Sequence, residues 1–121
     1  MQTDTFKDKV VIVTGGANGI GRCIADEFRK QGAVVYVVDK QEGEHFVGDI
    51  SKQDVLEAFA SDVLSKHNKV DVIVNNALPV MKGIDECSYD EFQYALSVGV
   101  TAPFYLVKLL KNHLAEGASI I

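Results

Sequence analysis

Residues 9–14, Lys-Val-Val-Ile-Val-Thr, run directly into Gly15-Gly16-Ala17-Asn18-Gly19-Ile20-Gly21, and this junction limits the possible folds more than any other stretch. A strand apolar on both faces belongs in the middle of a parallel sheet, covered above and below. Glycines at 15, 19 and 21 let the chain turn sharply off that strand and seat a following helix against it. The first turn of such a helix has unpaired N–H donors and a partial positive charge, so an anion such as a pyrophosphate is its natural partner. Residues 34–39 and 70–75 repeat the apolar, β-branched character. Between the first two runs, residues 19–31 put Ile20, Ile24 and Phe28 on one expected core face, and Gly32 supplies a stop.

Further along, residues 45–48 read as a short strand, and Ser51 is expected to cap a helix ending near His67. Its apolar stripe is Val55, Leu56, Phe59, Val63 and Leu64. Only residues 40–44 separate the second strand from the short one, too few for a crossover helix. The expected connection is extended and leaves one sheet face thinly covered. Residues 76–87 form a loop, after which Ser88 and Glu91 make a capping box for a long helix reaching about Leu114. Pro103 has no N–H for the carbonyl of Gly99 and is expected to loosen or bend that helix. Gly117 leads into a strand at 119–121, and a chain stopping there reads as half of something larger. The expected class is α/β, a doubly wound parallel sheet cut after the start of its fifth strand.

At 121 residues and 47% hydrophobic content, residues 1–121 are expected to form one domain. Twelve basic against 17 acidic residues, with no basic cluster, argue against nucleic acid or an anionic membrane surface as partner. No apolar run approaches the ~20 residues needed to cross a bilayer, and the N-terminus lacks a basic, apolar leader, so the expected location is cytoplasmic. Cys23 and Cys87 read as small reduced side chains. His45, His67 and His113 lie apart from any cysteine or carboxylate at ligand spacing, so no metal site is expected.

The glycine spacing after Thr14 is G-x-x-x-G-x-G, not the G-x-G-x-x-G of most dinucleotide sites. Together with Asp39, Asp49-Ile50 and Asn75-Asn76-Ala77, it closely resembles the short-chain dehydrogenase/reductase family. The resemblance runs from residue 7 to residue 121 and corresponds to the first half of such an enzyme. It implies a Rossmann-like dinucleotide-binding domain and hydride transfer between a nicotinamide cofactor and a small alcohol or carbonyl substrate. A homo-oligomer is expected.

By that resemblance, Thr14, Gly15, Asn18, Gly19, Ile20 and Gly21 make the turn that holds the pyrophosphate. Asp39 ends the second strand, where a carboxylate can accept both adenosine-ribose hydroxyls and repel a 2′-phosphate. NAD is therefore expected over NADP, with Lys40 and Arg22 leaving NADP open. Asp49 and Ile50 resemble the family's adenine pair; the alternative is an aspartate opening a turn before Ser51. Asn75 and Ala77 match the strand-steadying and cleft-lining positions, and Leu78 stands where the family has glycine.

Gly99 occupies the position of the family's catalytic asparagine, and its main-chain carbonyl is the expected holder of a relay water; close helix packing is the alternative. The family's catalytic Ser and Tyr-x-x-x-Lys have no counterpart here. Tyr36 with Lys40 is a formal match only, set on a strand and its turn. The chain by itself is thus expected to bind without turnover. A non-catalytic dinucleotide-binding or self-associating module on the same fold is the alternative.

Overall fold

The computed structural model describes residues 4–121. Five strands, β1 (Val10–Thr14), β2 (Val34–Asp39), β3 (Phe46–Val47), β4 (Val70–Asn75) and β5 (Leu114–Ile120), form one parallel sheet in the order β3-β2-β1-β4-β5. Four α-helices accompany them: α1 (Gly19–Lys30), α2 (Gln53–Lys66), α3 (Tyr89–Leu96) and α4 (Ala102–Leu110). All five residues of β1 are buried, as its central place between β2 and β4 requires. The strand order runs outward from β1 in both directions. The switch point, where ligands enter doubly wound sheets, therefore lies at the carboxyl ends of β1 and β4.

Alternation along β1 divides the core into two layers. Val11 and Val13 pack with Val37, Val72 and Val74 against Ala25 of α1. Val10 and Ile12 face the other way, toward Leu56, Phe59 and Val63 of α2 and Leu106 and Leu110 of α4. Phe59 is almost fully buried, which contributes roughly 1.5–3 kcal/mol relative to an exposed side chain.

Four expectations need correction. Ile20 is 77% exposed, while Gly21 and Ala25 are the buried residues of α1. The first turn of α1 stands at the loop end of the sheet, where the strands it would pack on have ended. Ser51 does not cap α2: the N-cap is Lys52, without a side-chain cap bond. The Ser51 N–H instead donates to the Asp49 carboxylate and the Lys52 N–H to the Asp49 carbonyl, so Ser51 lies inside a turn built by Asp49.

The long helix is loosened beside Pro103, as expected, but ends before Leu114. A wide π turn at Ser97–Thr101 separates α3 from α4, with the Ala102 N–H reaching back to the Ser97 carbonyl. Pro103, one residue further on, cannot supply the ordinary helical bond to Gly99. The helix stops at Leu110, followed by a 3-10 turn at Lys111–His113. Strand β5 then begins at Leu114, not residue 119. Val70 pairs with Leu114 and Val72 with Ser119, so β5 bulges, with Gly117 inside the bulge at φ 77°.

The Ser88–Glu91 capping box is present in full, and Gly32 ends α1 region with φ 93°. Residues 40–45 cross from β2 to β3 without a helix. A cavity of about 840 Å³ opens there, lined in part by Val35, Val37 and Phe46. Among the described residues no helix is long and apolar enough to cross a membrane.

Candidate cofactor site

The glycine turn is held against the end of β4. Thr14, the one buried polar residue among those described, accepts from the Asn76 and Ala77 N–H groups through Oγ1, each at 3.1 Å. The Asn76 side-chain amide donates to the carbonyls of Thr14 and Gly15 at 3.2 and 3.0 Å. Glycine is required on this seam. A Cβ on Gly15, at φ 69°, would lie 2.9 Å from Ala77 Cα, and one on Gly21 would collide with the Gly15 carbonyl and the Asn76 amide. Gly19 differs, because its φ of 58° favours glycine but a Cβ there would meet nothing within 4 Å. Its free side opens on the cavity.

Asn18 is the N-cap of α1, yet its side chain makes no cap bond, and no acidic residue lies in the first turn. Its amide donates to Gln41 Oε1 at 2.6 Å instead. The first N–H groups of α1 and their dipole thus remain available to an anion.

A cavity of about 670 Å³ lies in front of this helix end. Gly15, Asn18, Gly19, Ile20 and Gly21 line it from the glycine turn. Asp39 joins from β2, Asp49 and Ile50 from the turn after β3, and Ala77 from the end of β4. Of the expected cofactor residues, Thr14 and Asn75 do not line it. Thr14 acts behind the wall. The Asn75 N–H donates to the Ile121 carbonyl, and Asn75 Oδ1 is the one buried side-chain polar atom among the described residues without a partner. The neighbour Asn76, which the sequence motif contains but did not single out, both lines the cavity and ties the seam.

Asp39 Oδ2 accepts from the Ala17 N–H at 3.0 Å and Oδ1 from the Gln41 N–H at 2.9 Å, fixing the carboxylate between the glycine turn and the chain leaving β2. Asp49 accepts from the Ser51 N–H at 2.9 Å and from the Tyr94 hydroxyl at 3.1 Å. Burial alone would push its carboxyl up; the Ser51 and Tyr94 bonds and the charge of Lys40 outweigh it and hold the pKa below the usual range. Asp49 thus builds the turn before α2 and also lines the cavity. Tyr94 moves the opposite way, its pKa raised by burial and then by the Asp49 charge.

Leu78 is 84% exposed at the cavity wall and is not among the positive-φ residues, so its backbone has no need of glycine. Gly99 lies in the π turn, exposed and off the cavity, while Val98 beside it is buried and on the wall. Close packing does not account for Gly99, because nothing lies within 4 Å of a Cβ placed there.

The volume lies within the range of small-molecule and cofactor sites, and an uncapped helix end with two oriented carboxylates suits a dinucleotide. The fold is of the Rossmann-like α/β class. Within that class the chain belongs to the short-chain dehydrogenase/reductase family, whose model, described as short chain dehydrogenase, matches residues 9–121. L-fucose dehydrogenase of Mus musculus is 34% identical, over 92% of this chain and 46% of the mouse protein. An enzyme of Lentilactobacillus kefiri named NADP-dependent (R)-specific alcohol dehydrogenase is 33% identical over 98% of this chain and 55% of its own. Among solved structures, an apo SCOR enzyme from Clostridium thermocellum matches with a TM-score of 0.84 and 34% identity, over 93% of this chain and 52% of that one. The chain spans about half the length of the curated relatives it matches.

Proposed function

We propose that this chain is the cofactor-binding half of an NAD-dependent oxidoreductase that interconverts a small alcohol and its carbonyl compound in the cytoplasm. The observation that carries this reading is the fixed Asp39 carboxylate beside an uncapped helix end in one cavity. The α1 N–H groups take the pyrophosphate, Asp39 the ribose hydroxyls, and Asp49 the amino group of adenine. The nicotinamide of the bound cofactor supplies the hydride chemistry. A 2′-phosphate would meet the Asp39 charge at close range, which favours NAD over NADP. The Lentilactobacillus relative is named NADP-dependent, so the preference rests on Asp39.

Catalysis by this chain alone is not part of the proposal. The one tyrosine with a lysine four residues on, Tyr36, has its hydroxyl 2.7 Å from His67 Nε2 and lines the other cavity. Titration calorimetry with NAD and with NADP tests the reading. Binding of NAD tighter than NADP is expected, and no binding of either, or tighter NADP, overturns it.

One observation favours self-association as a second property. Phe92, Leu96, Val100 and Phe104 recur every fourth residue along α3, the π turn and α4, and are 40–64% exposed. Such an apolar stripe is the kind of surface that pairs. Sedimentation showing only monomer at tens of micromolar would remove this second reading.

A further inference from the structure

Tyr94 belongs to no motif of the sequence, yet its hydroxyl donates to Asp49 Oδ2 across 45 residues of chain. The Ser51 N–H occupies the other carboxylate oxygen. Lys40 Nζ stands 5.7 Å from the centre of the Tyr94 ring, within cation–π range. Lys40, Asp49 and Tyr94 all line the 670 Å³ cavity. Each carboxylate oxygen has about two acceptor sites. With Ser51 on Oδ1 and Tyr94 on Oδ2, Asp49 is held in one orientation, and Oδ2 keeps acceptor capacity.

We infer that Tyr94 is a positioning residue for base selection: by fixing the Asp49 carboxylate, it makes the cavity accept a dinucleotide whose purine carries a 6-amino group and reject one carrying a 6-oxo group. The inference rests on the dinucleotide reading above. An amino group meets a ready acceptor. A 6-oxo purine puts a carbonyl at that point and its nearest donor on N1–H, which the carboxylate cannot turn to meet while both its oxygens are held. Without the Tyr94 hydroxyl the carboxylate loses its partner on Oδ2, and only Ser51, through its N–H and side chain, and the charge of Lys40 still act on it. The carboxyl torsion of an aspartate is broad and soft, so the group then swings and the penalty on the carbonyl relaxes.

Calorimetry with NAD and with nicotinamide hypoxanthine dinucleotide reads this directly. The wild-type protein is expected to prefer NAD by about tenfold or more, the size of a charged hydrogen bond gained or lost. Tyr94→Phe keeps the ring under Lys40 and removes only the hydroxyl; its preference is expected to fall to about threefold or less. Tyr94→Leu removes the hydroxyl a second way and serves if the Phe protein fails to fold. A folded variant that keeps the wild-type ratio, or weakens both dinucleotides by the same factor, overturns the inference; the second result is what a merely structural tyrosine gives. Equal wild-type affinities overturn base selection but leave dinucleotide binding standing. Binding of neither compound overturns the dinucleotide reading itself, and this inference with it.

Discussion

The side-chain amide of Asn76 donates to the Gly15 carbonyl at 3.0 Å, joining the ends of β4 and β1 across 61 residues. Together with the two N–H groups that Thr14 Oγ1 receives, it makes the glycine turn a fixed wall of the cavity.

Removing either side of this seam is therefore expected to cost stability as well as binding. Thr14→Val keeps the shape but strands the N–H groups of Asn76 and Ala77 in a partly buried place. An unsatisfied buried donor costs roughly 1–3 kcal/mol. Urea denaturation is expected to find a loss of at least about 1 kcal/mol for Thr14→Val. A loss within error of zero would mean that the seam relaxes onto other partners.

The glycines are expected to separate by role. Gly21→Ala drives a methyl group into the Gly15 carbonyl and the Asn76 amide, so the wall itself must shift and folding suffers. Gly19→Ala has open space around its Cβ and meets only the backbone cost of a left-handed residue, about 1–2 kcal/mol. Gly19 lines the cavity, so the added methyl group sits at its wall. A folded Gly19→Ala protein with weakened NAD binding, beside a Gly21→Ala protein that is chiefly unstable, is the expected pair. Equal stability losses in the two would contradict it.

Asp39 sets the cofactor preference if its charge is what a 2′-phosphate meets. Asp39→Asn keeps an acceptor oxygen at the same reach for the Ala17 N–H while the charge goes. The NAD-to-NADP affinity ratio is expected to shift toward NADP by about tenfold or more, since close like charges cost several kcal/mol. Calorimetry with both nucleotides decides, and an unchanged ratio would assign the preference elsewhere.

The loop that borders the cavity has an acid-sensitive tie. Lys82 Nζ lies 2.6 Å from Glu91 Oε2, and Glu91 Oε1 accepts from the Ser88 N–H in the capping box of α3. The Lys82 bond, then the Ser88 bonds, lower the Glu91 pKa from 4.5 to about 2. A carboxylate depressed in the folded state stabilises fully above its unfolded pKa, and that contribution fades as pH falls through the folded one. The stability difference between wild type and Glu91→Gln is thus expected to shrink between about pH 4.5 and pH 2. The Lys82 pKa is raised by the same contact, so its share persists up to 10.5 and is lost above. Both groups are exposed, so added salt should weaken the effect. A difference that stays constant from pH 5 to 2 would show that the pair contributes nothing to folding.

The central sheet was legible because its signals are local and redundant. Three β-branched runs, a glycine turn and a Ser88–Glu91 box each announce themselves within a few residues. The errors fall where a distant element, or a competing local turn, decides. Periodicity identified a helical face for Ile20 but carries no information on where the sheet beneath it ends. Ser51 has the chemistry of a cap, yet Asp49, two residues earlier, takes its N–H. Asn75 and Asn76 are interchangeable in composition; only strand pairing decides which one meets the glycine turn. Tyr94 had no signal at all, because its partner lies 45 residues away. The first half of β5 was missed because Glu116 and Gly117 sit in a bulge, where the alternation of a regular strand is lost.

Gly99 is the remaining departure from the family pattern that the geometry can test. It lies in the π turn, faces no heavy atom within 4 Å of a placed Cβ, and does not line the cavity. An asparagine has room there and a slightly better helical propensity, so Gly99→Asn is expected to change stability by no more than about 0.5 kcal/mol. NAD affinity is expected to stay within about twofold, because a side chain off the cavity alters none of its contacts. Urea denaturation and calorimetry check the two halves of this prediction. A large drop in affinity would put residue 99 against the cofactor. An unchanged affinity would leave its backbone carbonyl, which Pro103 denies its ordinary helical donor, as the feature of this position open to a bound water.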